Sequence, residues 1–242
     1  APSLAEMGSL IVLCLYTKAK IDKEKYGLKP VYDGQLLIKV LNLSVWSMLH
    51  AFISVAPWFL FFVAIEHLGK TELAISNITR SVSAIFFVIA NSFAVTTGSL
   101  VSNAIGARAR NELFPICHKV LKLGYAVGIP FVVVALLCNR WIVSFYTDNE
   151  LLIELAFAPF VVMILNYTFA LPGYVYLNAV GGTGKTKITF LFQVTTTCVY
   201  LVYLYWLSFC IKASLSLYLT AEYLFVILLA LQSIIHLKSK HY

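Results

Sequence analysis

The sequence predicts an all-α integral membrane protein: a six-helix transmembrane lobe preceded by part of another helix, together one half of a twelve-helix, two-lobe bundle. Three observations carry that expectation. Of 242 residues, 60% are hydrophobic and only 12% are charged, and the mean hydropathy of +0.85 lies outside the range of soluble globular domains. Apolar runs near the ~20 residues needed to cross a bilayer as a helix recur along the chain. They contain unbroken apolar blocks such as IPFVVVALLC, whereas the strands of an outer-membrane barrel would alternate strictly over about 10 residues.

Taken in order, residues 1–17 are a shorter apolar segment that begins at Ala1 without an initiator methionine. It is expected to be the end of a transmembrane helix of a longer protein. A signal peptide is not expected, because the segment lacks a basic leading region and runs into KAKIDKEK instead of a small-residue cleavage site. Residues 18–43 read as a basic cytoplasmic connector, in which Leu36, Leu37, Val40 and Leu41 would lie on a short surface helix. Spans are expected at 44–66, 75–105, 117–138, 150–180, 187–209 and 215–236, so that 44–242 forms the six-helix lobe.

Positive charge orients the lobe, since short cytoplasmic loops retain Lys and Arg and translocated ones lose them. One set of alternate loops holds only Lys70, Arg140 and Lys212. Apart from Arg80, every other basic residue falls in the opposite set, which places the connector and the C-terminus in the cytoplasm and the lobe in the cytoplasmic (inner) membrane. The net charge of +7 is thus a matter of topology. A nucleic-acid partner is not expected, because no soluble domain carries a basic stripe. The partner this topology implies is the lipid bilayer, with the upstream part of the same protein expected beyond Ala1.

The most informative span is TELAISNITRSVSAIFFVIANSFAVTTGSLVSNAI at 71–105. At ~100° per residue, Arg80 and Asn91 project only about 20° apart, with Asn77, Ser81, Gly98 and Ser102 on the same side. Ile78, Val82, Phe86, Ile89 and Phe93 take the other side. An Arg near the bilayer centre costs about 2.5 to 3.5 kcal/mol on insertion scales, so such residues face a bundle interior or a water-filled cavity. The polar side is therefore expected to face a polar interior.

Two later spans add polar groups. In the span at 150–180, Pro159 and Pro172 interrupt the helix, and a kink or unwound stretch is expected near 168–173, flanked by Asn166, Tyr167, Tyr174 and Asn178. In the span at 187–209, Gln193, Thr197 and Tyr200 share one face. Asn77, Arg80, Asn91, Asn166, Tyr167, Tyr174, Gln193 and Tyr200 are the candidate cavity residues. Trp58, Trp141, Tyr218 and Tyr223 read as interface or packing aromatics, His50 as a packed histidine, and the five cysteines as small buried hydrophobes.

Catalytic motifs do not emerge. AVGGTGKT at 179–186 resembles a P-loop, yet Ala179 replaces the first Gly and a membrane helix precedes it where a strand is required. It reads as a tight cytoplasmic turn. HExxH, GxSxG and CxxC are absent and no cysteine pair has metal-ligand spacing, so no enzyme activity, no catalytic residue, no cofactor and no metal is expected.

The stretch HLGKTELAISNITRSVSAIFFVIANSFAVTTGSLVSNAIGARARNE at 67–112 resembles the eighth helix of multidrug and toxic compound extrusion (MATE) transporters with its cytoplasmic turn. GGTGKTK at 181–187 is similar to that family's turn after the tenth helix, with Gly181 where Arg is usual and Lys185 where an acid is common. The resemblance covers about 30–237 and makes residues 1–17 the tail of helix six. It implies a secondary active efflux transporter that exchanges H⁺ or Na⁺ for an organic, cationic, drug-like solute by rocking of two lobes. Related readings are a lipid-linked sugar flippase of the same superfamily and a non-transporting membrane scaffold. The family's coupling acids sit in helices one, seven and ten. Here helix seven has only Glu66, at its outer end, and Arg80 has no matching acid, so its partner is expected in the missing lobe.

Overall fold

The computed structural model describes residues 2–20, 33–211 and 213–239. No strand occurs among them. Two compact units divide the chain, Ala1–Leu41 and Asn42–Tyr242. The first contains α1 (Pro2–Lys20). Of the connector, residues 21–32, with Lys23, Lys25 and Lys29, lie outside the described residues.

Helix α2 (Gly34–Glu66) starts earlier than the apolar run that predicts it. Asp33 caps it, its Oδ1 accepting from the Gln35 and Leu36 amides at 2.9 and 3.1 Å. The stretch holding Leu36, Leu37, Val40 and Leu41 is therefore the first turns of a long helix and not a separate surface helix. With a cap at 33 and neither Gly nor Pro again until Pro57, nothing stops it.

The second unit continues with α3 (Lys70–Gly106), α4 (Leu113–Leu137), the short α5 (Asn139–Ser144), α6 (Glu150–Leu165), α7 (Tyr167–Gly182), α8 (Thr186–Trp206) with a wider π turn at Leu207–Ile211, and α9 (Leu215–Ser239). Among the described residues, six stretches are long and apolar enough to cross a membrane, with α6 and α7 forming one of them. Large apolar side chains such as Val88, Val134 and Val202 are exposed, as a lipid-facing surface requires. Of the cysteines, Cys117 is buried, whereas Cys14 and Cys198 are exposed. The reading of all five as buried hydrophobes thus fails at two positions, because an apolar exterior accepts Cys as readily as a core does.

Helix α7 packs against α3, α4, α8 and α9. Its approach to α3 depends on glycine: a Cβ at Gly182 would stand 2.5 Å from Gly98 O. Against α4, two tyrosines clasp the helices reciprocally. Tyr167 Oη donates to Gly124 O and Tyr125 Oη donates to Thr168 O, each at 2.7 Å. The second bond has a specific cause, since Pro172 has no N–H for the carbonyl four residues back. Tyr125 supplies the donor that the proline removes.

The expected break near 168–173 lies instead at Asn166, between α6 and α7. Tyr223 Oη donates to Val162 O at 2.5 Å, whereas the Asn166 amide reaches that oxygen only at 3.2 Å. The competing hydroxyl and the downstream proline loosen the ladder one turn earlier than the proline alone would. AVGGTGKT becomes the end of α7, a turn at Gly184 with φ +83°, and the start of α8.

Candidate functional site

A charge buried at membrane depth must find a partner or move to water. Arg80 finds one. It is 3% exposed, and its Nη2 donates to Glu222 Oε1 at 2.6 Å, an ion pair joining α3 to α9. At 1.5 Å per residue, Arg80 lies about 15 Å and Glu222 about 10 Å along their helices from the same end of the lobe. The expectation that Arg80 lacks an acid in this lobe is therefore corrected. Glu222, within the first two turns of α9, is not among the candidate residues chosen from sequence.

Three aromatics from α2 surround the guanidinium. Its Cζ lies 4.0 Å from the Phe61 ring centroid, 4.8 Å from Trp58 and 5.3 Å from Phe62. Such contacts contribute ~0.5 to 2 kcal/mol each, the larger values when desolvated. Trp58 is thus part of the Arg80 environment. Tyr200, from α8, donates to the same Glu222 oxygen at 3.3 Å and packs edge-on against Phe225.

Two cavities meet at Glu222. The smaller, about 50 Å³, is lined by Arg80, Ser83, Asn166, Tyr167, Tyr174 and Glu222 among aromatic and apolar groups. The larger, about 190 Å³, adds His50, Asn91, Asn178 and Gln193 and shares Trp58, Phe87, Tyr174 and Glu222. Tyr174 stands between them, edge to face with Phe87 at 5.6 Å. A third, more polar cleft of about 390 Å³ continues past His50 and Asn178 to Ser99, Ser102, Thr186 and Thr189. Polar side chains line all three.

Of the eight residues selected from sequence, Arg80, Asn166, Tyr167 and Tyr174 line the smaller cavity, and Asn91, Tyr174 and Gln193 the larger. Tyr200 binds Glu222 from below the surface. Asn77 is exposed and lines none of these cavities. The polar stripe of α3 also departs from expectation. Asn77, Ser81, Asn91 and Ser102 are exposed, while Ile78, Val82 and Phe86 are buried with Arg80. Within that stripe only Arg80 turns inward, and the small polar residues of α3 that are buried, Ser76, Thr79, Ser83 and Thr97, lie outside the predicted stripe. His50, read as a packed histidine, lines two of the cavities, and its Nε2 is buried without a partner among the described residues.

No group of three or more His, Cys, Asp or Glu side chains able to hold a metal ion occurs among the described residues.

Comparison with known proteins gives two results. The MatE family model matches residues 47–207. Solved structures share the fold. One is the outward-facing conformation of a multidrug resistance MATE family transporter of the MOP superfamily, at TM-score 0.72 and 17% identity, over 81% of this chain and 44% of that one. Another is a MATE protein in a bent conformation, at TM-score 0.71 and 18% identity, again over 81% of this chain and 44% of that one. A third is a MOP superfamily transporter from Pyrococcus furiosus, whose binding pocket of reverse polarity is said to suggest a different function, at TM-score 0.68, 17% identity, and coverage of 81% and 43%. The chain thus spans less than half the length of these structures. No curated protein sequence matches it.

Proposed function

This chain belongs to the MatE family, and from that premise we propose that it works as the C-terminal lobe of an efflux transporter that exchanges H⁺ or Na⁺ for a small organic cation. The observation that carries the reading is Glu222, a carboxylate on the wall of two cavities, flanked by Trp58, Phe87 and Tyr174. The rings on that wall suit an organic cation, each adding ~0.5 to 2 kcal/mol of attraction, and the Glu222 carboxylate becomes available to it when its pair with Arg80 opens. The amides of Asn91, Asn178 and Gln193 on the same wall supply hydrogen bonds for orientation. A pyrophosphate-bearing lipid would need surplus positive charge there. Arg80 is the cation on that wall, and Glu222 neutralises it.

The exchange runs by rocking of this lobe against its N-terminal counterpart, and the positive-inside pattern puts the C-terminus in the cytoplasm of the cell whose inner membrane it spans. Expression of the complete protein in a drug-sensitive strain tests this. Export of a fluorescent organic cation should depend on an imposed H⁺ or Na⁺ gradient. Unchanged accumulation under every gradient refutes the proposal.

A further inference from the structure

The smaller cavity holds an unusual pair of atoms. Arg80 Nε, a donor, and Asn166 Oδ1, an acceptor, are both buried without a hydrogen-bond partner among the described residues, and both residues line this cavity beside Glu222. Each side chain is at least nine-tenths buried. Its volume of about 50 Å³ exceeds the ~10 to 15 Å³ that one water needs. A donor and an acceptor lining such a space are satisfied by water, and water there reaches Glu222, which lines it too. Among the described residues, both hydrogen bonds to Glu222 end on Oε1, from Arg80 and Tyr200. Its second oxygen remains for a proton.

From this geometry we infer that Glu222, with Arg80 as its tethered counter-charge and the Asn166 cavity as its water path, is a proton-exchange site in this lobe that does not accept Na⁺. The inference rests on the reading of the lobe as part of an ion-exchanging transporter. A hydronium ion in the cavity gives its proton to Glu222 Oε2 and leaves water, while Arg80 keeps its own proton. The pair passes from net zero to net positive. A buried guanidinium without a counter-charge is strongly disfavoured, so proton binding drives Arg80 off Glu222 and toward another acceptor or water. Proton occupancy and the α3–α9 contact then change together.

Sodium fits this site poorly. Hard cations take several oxygen ligands, and apart from Glu222, Asn166, Ser83 and the tyrosines Tyr167 and Tyr174 the lining is Arg80 with aromatic and apolar groups. The guanidinium itself stands 2.6 Å from the carboxylate and repels a second cation. The titratable and charged groups facing the site are Arg80 from α3, His50 from α2, Tyr167 and Tyr174 from α7, and Tyr200 from α8. From α6, Met163 reaches the cavity and carries no charge.

Difference infrared spectroscopy of the intact protein in lipid nanodiscs reads the proton directly. Acidification should produce a protonated-carboxyl C=O band that is lost in Glu222→Gln and is the same whether Na⁺ or choline balances the ionic strength. A band retained in Glu222→Gln, or a Glu222-dependent band suppressed by Na⁺, overturns the inference. Should Glu222→Gln fail to fold, the doubly neutral Arg80→Gln/Glu222→Gln protein takes its place, and a band surviving there is equally fatal. The two readings fail separately. A protein that shows the Glu222 band yet exports no cation sinks the transport proposal alone, and one that exports cations with the band intact in Glu222→Gln sinks only this one.

Discussion

Replacing Glu222 with Leu leaves Arg80 as an uncompensated charge among Phe61, Trp58 and Phe62. Removing one partner of a buried ion pair costs about 3 to 5 kcal/mol. Both partners are well buried, at 3% and 13% exposure, so the range applies. Two effects push the value toward its lower end. The three rings retain part of the guanidinium's stabilisation, and the membrane-inserted unfolded state offers Arg80 alternative partners. A loss of about 3 kcal/mol is expected, or roughly a hundredfold in the unfolding equilibrium at 1.36 kcal/mol per decade. The double replacement Arg80→Met/Glu222→Leu removes both charges at similar volume and should lie within about 1 kcal/mol of the original protein, or above it. Unfolding equilibria measured in bicelles by steric trapping distinguish the cases. A single variant as stable as the original, or a double variant no better than the single one, would refute the ion-pair reasoning.

Further outcomes follow from the packing and the site. Gly128→Leu should destabilise the α4–α7 contact by at least the ~1 to 3 kcal/mol of an overpacked core, since the Tyr167 ring occupies the space a Cβ would take; an unchanged thermal midpoint in detergent would contradict it. Tyr125→Phe leaves Thr168 O without the donor that replaces the missing proline amide, at about 1 to 3 kcal/mol, and the same melt measures it. Tyr174→Leu should weaken binding of a fluorescent organic cation by about 2- to 30-fold, the range of one cation–π contact, as read by equilibrium binding to the complete protein. Single cysteines at Lys185 and Arg140 should label from opposite sides of sealed cells with an impermeant maleimide, and labelling from one side alone would break the topology.

The all-helical class and the six spans were legible because hydropathy and length govern what can cross a bilayer, and six helical stretches of that length and composition occur among the described residues. Caps and competing donors were less legible. Asp33 extends α2 by a side-chain bond that hydropathy does not register, and the loosened turn at Asn166 depends on the hydroxyl of Tyr223 on α9, 61 positions beyond the Val162 carbonyl it binds. The helical wheel of α3 grouped Arg80 with Asn77 and Ser81, which are exposed, whereas Arg80 is buried with Ile78, Val82 and Phe86, because amphipathicity reports a difference between faces without its direction. In water the polar face is outside; in a membrane it turns to whatever polar surface is available, and for Asn91 and Ser102 that is a cleft.

The Arg80 partner could have been found from sequence by asking the converse question. A buried cation implies a buried anion, and the acids nearest helix ends, such as Glu66, Glu72 and Glu150, are excused by their position. Glu222 is not, since between Leu215 and Leu231 it is the sole charged side chain. One uncompensated acid and one uncompensated base, each at similar depth from the same side of one lobe, are cheaper together than apart by several kcal/mol. Charge balance at a common depth therefore links α3 to α9 across 142 positions, where periodicity within either helix is silent. It also separates Arg80 from a solute-binding cation, because a charge matched within its own lobe is available to a ligand only when that match is broken.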